Sequence, residues 1–413
     1  MNAFQTQRRR LLYGAVGATL AGQAAARGTD GTRLAAQYEI AGDIVNLENA
    51  YYGIMARPVA ADYKRNIDYL NRHHSHYLRN QFDGEGIQAI RAELAAYAGV
   101  AAEEIALTRS ATESLQCLIA NYLRLKAGDT VMIGNLDYGT VMDAMRDLAQ
   151  RRGANVAVVE VPEPATHQNV IDAYAQALRR YPRTRLLLLT HISHRTGLVF
   201  PVAEIVRAAK LQDVDVVVDI AQSWGQLDFN IPSLGADFVG ANLHKWLGAP
   251  LGLGFLYIRA PRLGDIGVHQ GNSEFPASDI RARVHAGTLN VPAVMTIPAA
   301  LAFHARVPRA ERAALLRGLR DYWVEPARRM AHVQILTPDD PRMSGAVTSF
   351  RLAGRTSFED NLALARQLAE RHRIFTVARE GPAGGACIRV TPSYYTRTDE
   401  LDRLVGALRT FSA

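Results

Sequence analysis

The sequence predicts an α/β fold, with a large domain built on a mostly parallel sheet and a smaller C-terminal α+β domain. After Gly99, short apolar or β-branched segments alternate with amphipathic segments of helical length, a rhythm typical of parallel sheets covered by helices. From about Pro298 this alternation gives way to a long helical stretch, two short strands and a closing helix. A chain of 413 residues also exceeds the size at which a single core usually stops growing, so two domains are expected.

The elements of the large domain follow from this alternation in chain order. The apolar segments predict strands at residues 130–134, 155–161, 185–192, 214–220, 237–241 and 254–258. The amphipathic segments between them predict helices at 112–125, 141–152, 171–181 and 202–211. In the smaller domain, strands are predicted near 347–352 and 387–390, and a helix at 399–411. Parallel sheets present ligand-binding groups beyond the carboxyl ends of their strands, so chemistry is expected there.

The first 26 residues predict an export signal. An arginine run at 8–10 precedes a mildly apolar stretch, which resembles a twin-arginine signal, and the alanine run at 24–26 suits a cleavage site. This pattern predicts a periplasmic protein that the twin-arginine machinery exports in folded form. The alternative is a short basic helix on a cytoplasmic protein. No other apolar run approaches the ~20 residues that span a bilayer, so no stable membrane span is expected after processing.

The same features predict the domain boundaries. We expect the signal at residues 1–26, an N-terminal segment that packs near the active site at 27–60, the large domain at 61–297 and the small domain at 298–413. The formal net charge of +7 includes the three arginines of the signal. The other basic residues are scattered, without an aromatic and basic stripe, so no nucleic-acid partner is expected.

Lys245 places an ammonium group in an otherwise apolar, glycine-rich segment, GANLHKWLGAPLGLGFLYI. An amine beside apolar groups has a lowered pKa, which makes it nucleophilic enough to form a Schiff base with a carbonyl. Pyridoxal phosphate is the commonest partner of such a lysine, and it needs a carboxylate against its pyridine nitrogen. Asp219 ends the apolar segment VVVD and supplies one. An acid at a strand end is common, so the prediction depends on the pair and not on Asp219 alone.

A phosphate-binding helix start is predicted in LTRSATESLQCL. Ser110, Ala111 and Thr112 open an amphipathic helix with Glu113 in its first turn, and the amides of a helix start bind anions. The same residues also fit an ordinary helix cap, and the motif by itself leaves that alternative open.

Nine segments occur in a characteristic order: NLENAYYG, RAELAAYAG, TRSATESL, LDYGTV, THISHRTGLVFPV, VVDIAQSWGQ, GANLHKWLGAPLGLGFLY, GTLNVPAV and IRVTPSYYTRTDELDRL. Together they resemble the class V aminotransferase family of fold-type I pyridoxal phosphate enzymes, particularly its isopenicillin N epimerase-like branch. DIAQ followed at this spacing by HKW is specific, and the ordered set is more so. The resemblance implies a sheet of the seven-stranded type, a small C-terminal domain and a homodimer with shared active sites.

The resemblance also implies the roles of individual residues toward pyridoxal 5′-phosphate. Lys245 forms the Schiff base, Asp219 partners the pyridine nitrogen and Gln222 lies beside the phenolic oxygen. Tyr138 takes the position of an aromatic side chain that stacks on the cofactor ring. The residues implied to lie at the phosphate are Ala111, Thr112, Asn242, His244 and, from the partner subunit, Thr288. The residues implied at the substrate are Arg389, which holds a carboxylate, and Asn49, His194 and Arg195.

Two departures from the family pattern bear on the reaction. Desulfurases of this family carry a nucleophilic cysteine on a loop before the carboxylate-binding arginine, whereas this chain has only Cys117 and Cys387. Cys387 lies in an apparent strand, so cysteine desulfurase activity is disfavoured. Many relatives have Asn or Ser at the position of His194, so His194 and Arg195 either change the outcome of the reaction or are structural.

The histidine cluster NRHHSHY invites a metal site, because imidazoles are frequent ligands. His73 and His76 share a face if the segment is helical, but no acid or cysteine nearby completes a site. No metal is therefore expected, and the cluster is interpreted as an active-site rim or a dimer contact.

The predicted function is that of a pyridoxal phosphate enzyme acting on the amine carbon of an amino acid or a peptide-like amino compound, as an aminotransferase or an epimerase. An exported enzyme would meet a periplasmic amine. The first alternative is therefore a tailoring enzyme of a siderophore or another secondary metabolite, similar to relatives that modify a glutamyl group of pyoverdine. The second alternative is a binding protein that keeps the fold without catalysis.

Overall fold

The large domain contains a seven-stranded sheet in the computed structural model, which describes residues 34–411. Its strands are β2 (Ile105–Thr108), β3 (Thr130–Gly134), β4 (Asn155–Val159), β5 (Thr184–Thr190), β6 (Asp215–Asp219), β7 (Phe238–Asn242) and β8 (Gly254–Ile258). Their spatial order is β2-β8-β7-β6-β5-β3-β4. Strand β8 pairs antiparallel with both of its neighbours, and the other pairs are parallel. The connection from β7 to β8 contains no helix, and a parallel pairing would need a crossover.

Helices cover both faces of this sheet. In chain order they are α1 (Arg57–Tyr77), α2 (Ile87–Ala98), α3 (Ala111–Ala120), α4 (Gly139–Arg152), α5 (His167–Arg180), α6 (Val202–Lys210), α7 (Val291–Met295) and α8 (Ile297–Ala305). The strands are apolar on both faces: Val216 and Val218 belong to one core cluster, whereas Val217 between them belongs to the other. Such continuous apolar strands are typical of a sheet that is buried on both sides.

The smaller domain is built on a four-stranded antiparallel sheet in the order β12-β13-β10-β9. Its elements are α9 (Arg309–Arg328), β9 (Val333–Ile335), β10 (Thr348–Leu352), α10 (Phe358–His372), β11 (Ile374–Phe375), β12 (Val377–Arg379), β13 (Cys387–Val390) and α11 (Thr398–Thr410). Strand β1 (Val45–Asn46) pairs in parallel with β11. Val45 and Leu47 are buried in the core of this domain together with Trp323. The N-terminal segment is thereby attached to the C-terminal elements.

The predicted fold class is confirmed, with differences at the level of elements. Strand β2 was not predicted, since IALT is too short to show a period, and neither were α1 and α2. The helix predicted at 112–125 ends at Ala120, and the long helical stretch after Pro298 divides into α8 and α9 on either side of Pro308. Residues 1–26, with the predicted export signal, lie outside the described residues, and the domain boundaries stay predictions. Between residues 34 and 411, no helix is long and apolar enough to cross a membrane.

Candidate active site

A cavity of about 420 Å³ opens at the edge of the sheet where β5, β6 and β7 end. Parallel strands bring their carboxyl ends to one edge, so side chains distant in sequence meet there. The start of α3, the residue that precedes α4 and the segment around Ala50 complete the wall. The cavity brings together these predicted site residues: Ala111, Thr112, Tyr138, His194, Asp219, Gln222, Asn242, His244, Lys245 and Arg389.

Lys245 lies in the connection between β7 and β8 and lines the cavity. Burial lowers its pKa to about 8, although the nearby carboxylate of Asp219 opposes the shift. A large fraction of the amine is therefore uncharged near neutral pH, as a nucleophile or a base requires. Gly53 holds the backbone here: its amide donates to the carbonyl of His244 at 2.9 Å. A Cβ at Gly53 would overlap the carbonyl oxygen of Lys245, so only glycine fits this contact.

Asp219 is the last residue of β6 and is buried. Burial raises the pKa of its carboxyl, whereas the backbone amide of Ala221 and the charge of Lys245 lower it. That amide donates to Oδ1 at 2.8 Å, which fixes the carboxyl group and leaves Oδ2 for a group in the cavity. A carboxylate placed in this way stabilises a positive charge beside it.

Gln222 is held at both ends of its amide group. Its Nε2 donates to the carbonyl of Ala50 at 2.9 Å, and its Oε1 accepts a hydrogen bond from Trp246 Nε1 at 3.0 Å. Trp246 directly follows Lys245, so the same loop that presents the amine also orients Gln222. The side chain therefore faces the cavity in one fixed orientation.

The start of α3 forms an anion-binding end of the cavity. Ser110 caps the helix by accepting from the amide of Glu113 at 3.1 Å, and Asn242 Oδ1 accepts from the amide of Ala111 at 2.7 Å. The Ala111 amide is thus already bonded, which differs from the prediction that it binds phosphate. Within residues 34–411, neither the amide nor the hydroxyl of Thr112 has a hydrogen-bond partner, so both are available to an anion.

His244 also faces this end of the cavity. Its Nδ1 bonds the carbonyl of Leu253 at 2.8 Å, so Nδ1 carries a proton and Nε2 donates to an anion only in the protonated ring. Burial lowers the pKa of His244, and Lys245 lowers it further. A doubly charged phosphate beside Nε2 would act in the opposite direction and favour the protonated ring. Thr112, His244 and the helix start therefore fit a phosphate group.

Tyr138 and His194 both line the cavity, and their rings are in contact. Tyr138 precedes α4 and is 41% exposed, and its ring meets that of His194 edge to face, with centroids 5.2 Å apart. Burial keeps the pKa of His194 well below its ordinary value, and the charges of Arg195 and Arg389 add to the shift. Within the described residues its Nδ1 has no hydrogen-bond partner. His194 therefore presents a neutral imidazole to the cavity.

Arg389 lies in β13 and is buried. Its Nε donates to Glu48 Oε2 at 3.3 Å, its Nη2 pairs with Glu48 Oε1, and its Nη1 donates to the carbonyl of His194 at 2.6 Å. Burial lowers the pKa of Arg389 to about 10, and Glu48 opposes that shift. A guanidinium has five N–H groups, so an edge remains for a second anion. Arg379 also pairs with Glu48, at 3.3 Å, and lines the cavity.

Glu48, Arg379 and Thr190 are site residues that the sequence analysis missed. Glu48 and Thr190 lie within the segments NLENAYYG and THISHRTGLVFPV, neither of which shows where these side chains lie. Arg379 lies in none of the nine segments, and only the pairing of β12 with β13 brings it beside Arg389. An acid within NLENAYYG was the one available signal for Glu48.

Three predicted site residues do not line the cavity of this protomer. Asn49 was expected at the substrate, but its amide donates to the carbonyl of Thr391 at 2.7 Å and accepts from Tyr395, so it joins two segments. Arg195 was also expected there, but it turns away because its Nη1 donates to the carbonyl of Glu380 at 2.5 Å. Thr288, which the resemblance assigns to the partner subunit's site, is exposed and does not line the cavity.

Neither cysteine has the environment of a nucleophile. Burial raises the pKa of Cys117 to about 12 and that of Cys387 to about 11, and Cys387 is fixed within β13. The histidine cluster also differs from the prediction, because α1 is interrupted at His74, with φ 47° and ψ −150°, so His73 and His76 do not share a regular helical face. The described part of the chain contains no cluster of three His, Cys, Asp or Glu residues suited to a metal.

The chain is similar to known proteins over most of its length. The family model described as aminotransferase class-V matches residues 60–404. An isopenicillin N epimerase of Streptomyces clavuligerus is 31% identical over 324 residues, which are 74% of this chain and 79% of the epimerase. An isopenicillin N epimerase of Amycolatopsis lactamdurans is 28% identical over 78% of this chain and 84% of its own. A cysteine desulfurase of Klebsiella pneumoniae is 26% identical over 78% of this chain and 82% of its own.

Solved structures share the fold at lower sequence identity. A mutant of C-DES with glycine covalently linked to its pyridoxal phosphate cofactor has a TM-score of 0.78 and 23% identity over 90% of this chain and 97% of its own. The cysteine desulfurase CsdA of Escherichia coli has a TM-score of 0.76 and 22% identity over 92% of this chain and 97% of its own.

Proposed function

The chain belongs to the aminotransferase class-V family, whose cofactor is pyridoxal 5′-phosphate, and from this premise we propose that it epimerises or transaminates an amino acid or a peptide-like amino compound. The observation that carries the proposal is one cavity whose wall brings Lys245 and Asp219 together with an anion-binding helix start and with two arginines, Arg379 and Arg389. This arrangement suits a substrate that carries both an amine and an anionic group.

The residues present fit the cofactor. Thr112, His244 and the start of α3 would hold its phosphate, Asp219 its ring nitrogen and Lys245 its aldehyde carbon. When bound, pyridoxal phosphate withdraws electrons from the amine carbon of a substrate, which makes the proton on that carbon removable. Opposite charges about 4 Å apart attract by about 4 kcal/mol at an effective dielectric of about 20, so Asp219 can keep a proton on the ring nitrogen near neutral pH.

Lys245 is the base that the geometry supports. Its Nζ has a lowered pKa, so an uncharged amine is available near neutral pH to take a proton from a nearby carbon. Gln222 is held rigidly by Trp246 and Ala50, which keeps the groups beside Lys245 in place. If the proton returns to the opposite face of the same carbon, the enzyme is an epimerase. If it does not return to that carbon and a keto product is released, the enzyme is an aminotransferase.

A persulfide-forming reaction is less well supported. The family includes cysteine desulfurases, but such chemistry needs a reactive thiolate, and burial raises the pKa of both cysteines of this chain. The relatives named isopenicillin N epimerase therefore give the better precedent for the reaction type.

Proton exchange tests the proposal directly. The holoenzyme is incubated with candidate L-amino compounds in deuterium oxide, and the products are analysed by mass spectrometry and chiral chromatography. Deuterium at the amine carbon with inverted configuration indicates an epimerase, and a keto product indicates an aminotransferase. Lys245→Ala should reduce exchange by about 10²- to 10⁴-fold, whereas Lys64→Ala, at an exposed position of α1, should leave it unchanged. Exchange that survives Lys245→Ala would overturn the assignment of the base.

Export and assembly are further parts of the proposal. We propose a homodimer in which Thr288 of each subunit approaches the partner's phosphate site, supported by the exposure of Thr288, and a periplasmic location, supported by the arginine pattern at 8–10. Replacing Arg8 and Arg9 by lysine should retain the protein in the cytoplasm, as cell fractionation would show. Tailoring of a siderophore or other secondary metabolite is the alternative reaction that this location favours. A purified protein that takes up no cofactor would instead favour a non-catalytic binding protein.

A further inference from the structure

We propose that the substrate extends from the cavity of Lys245 into a second cavity beside it, and that the extending part is an uncharged alkyl or aryl group. The proposal rests on the proposed function, because it concerns the same substrate. The second cavity has a volume of about 520 Å³ and lies between residues 40–52 and strands β11 and β12. Its apolar wall consists of Ile40, Ile44, Tyr51, Tyr52, Phe375 and Val377.

The two cavities adjoin each other. Tyr51 and Arg379 line both of them. Glu48 lines the second cavity and bonds Arg379 and Arg389, which line the first, so this ion-paired group forms the wall between them. The negative charge of Glu48 is matched by two guanidinium groups, so the wall leaves a net positive charge for an anionic group of the substrate. The one other acid in the lining of the second cavity is Asp43, which lies 3.8 Å from the guanidinium group of Arg373.

The strand register places the two cavities on one face of the small domain. Val377 is paired directly with Arg389 in the antiparallel ladder, and directly opposed side chains lie on the same face. Exposure alternates along residues 375–379, where Thr376 and Ala378 are buried and Phe375 is exposed. One strand spacing and two residues of rise separate Arg389 from Phe375, which is a reach of roughly 8–9 Å. This distance suits a chain of several carbon atoms attached to the reacting part of a substrate.

The exposure of the wall supports an apolar occupant. Tyr51 is 73% exposed and Phe375 is 43% exposed, and both belong to the same wall. Exposed apolar side chains that line one concave surface are typical of a ligand-binding site, and this surface lies beside the cavity of Lys245. We therefore assign the second cavity to the apolar part of the substrate.

A homologous series of amino acids tests the proposal. Alanine, norleucine, α-aminooctanoate and α-aminodecanoate are titrated into the holoenzyme, and binding is followed by the absorbance of the bound cofactor. Once the chain reaches the second cavity, the Kd should fall by about fourfold per methylene group. Phe375→Ser should flatten this dependence and leave the Kd of alanine unchanged. Leu211→Ser, which removes a more exposed apolar side chain that lines neither cavity, should preserve this dependence.

Decanoate, which has no amine, separates this proposal from the proposed function. Calorimetry should show that decanoate binds the wild-type holoenzyme and binds Phe375→Ser at least tenfold more weakly. Absence of decanoate binding, or a Kd for the amino acids that does not depend on chain length, overturns the second subsite. Absence of any response of the cofactor to every amino acid of the series, while decanoate still binds, counts against the proposed function instead. If Phe375→Ser dissociates a dimer on size-exclusion chromatography and leaves the chain-length dependence intact, the wall is a subunit contact and the subsite is refuted.

Discussion

Glu48 is the residue whose replacement tests the electrostatics of the site most directly. Its carboxylate accepts from Nε and Nη2 of Arg389 and from Nη2 of Arg379, and Glu48 and Arg389 are both buried. Glu48→Gln keeps the shape of the side chain and removes its charge. The change leaves two neighbouring guanidinium groups without their counter-ion, and the side chain of one of them, Arg389, is only 3% exposed to water.

The expected loss of stability follows from the depth of the pair. Each opposite-charge contact at about 4 Å contributes about 4 kcal/mol at an effective dielectric of about 20, and removing one partner of a buried pair usually costs about 3–5 kcal/mol. Glutamine still accepts one hydrogen bond, so we expect a loss of about 3 kcal/mol in the free energy of unfolding. The measurement is urea unfolding of the cofactor-free protein, followed by circular dichroism. Asp143→Asn, which breaks the exposed pair with Arg146, should cost less than about 1 kcal/mol.

The same variant should change the amine. Glu48 raises the pKa of Lys245, whereas Arg389 and Arg379 lower it, so Glu48→Gln should lower that pKa below its value of about 8. The pH midpoint of cofactor uptake, which reports the uncharged amine, should therefore move to lower pH. An unchanged stability together with an unmoved or raised midpoint would refute the assignment of Glu48 as the counter-ion of this site.

Four further predictions follow from the site. The rate of pyridoxal phosphate uptake by the cofactor-free protein should rise as the pH increases through about 8 and then level off, because only the deprotonated Lys245 attacks the aldehyde; stopped-flow absorbance measures it, and a rate that falls with pH would contradict the pKa shift. Thr112→Val should weaken cofactor binding by roughly 10- to 100-fold, since it removes one hydrogen bond to a charged phosphate; equilibrium dialysis measures the Kd, and an equal Kd would remove Thr112 from the phosphate site. Gly53→Ala should displace the backbone of Lys245 and reduce activity at least tenfold, while the same substitution at a glycine with free space around it, Gly139→Ala, should not. Cys387→Ala should retain at least half of the activity on the best amino substrate, and a total loss would reopen a thiol mechanism.

The individual residues of the site differ in how far the sequence specified them. Lys245 and Asp219 were predicted because each stands at the end of an apolar segment, and the sheet brings strand ends to one edge whatever the details of packing. The start of α3 was predicted for a similar reason, since capping is local in sequence. Asn49 and Arg195 were predicted at the substrate but bond other segments instead. Their partners, Thr391 and Glu380, are 342 and 185 residues away in the chain, so no local pattern indicated these bonds.

The sequence by itself determined the fold class, the family resemblance and the pair of Lys245 and Asp219, because periodicity, helix starts and strand ends are local properties of the chain. Only the tertiary structure decided the electrostatic surroundings of the amine. Burial sets the pKa of Lys245, and the pairing of β12 with β13 and the approach of the N-terminal segment place Arg379, Arg389 and Glu48 around one point. Those contacts join residues more than 300 positions apart, and no local pattern encodes a charge balance built from such distant segments.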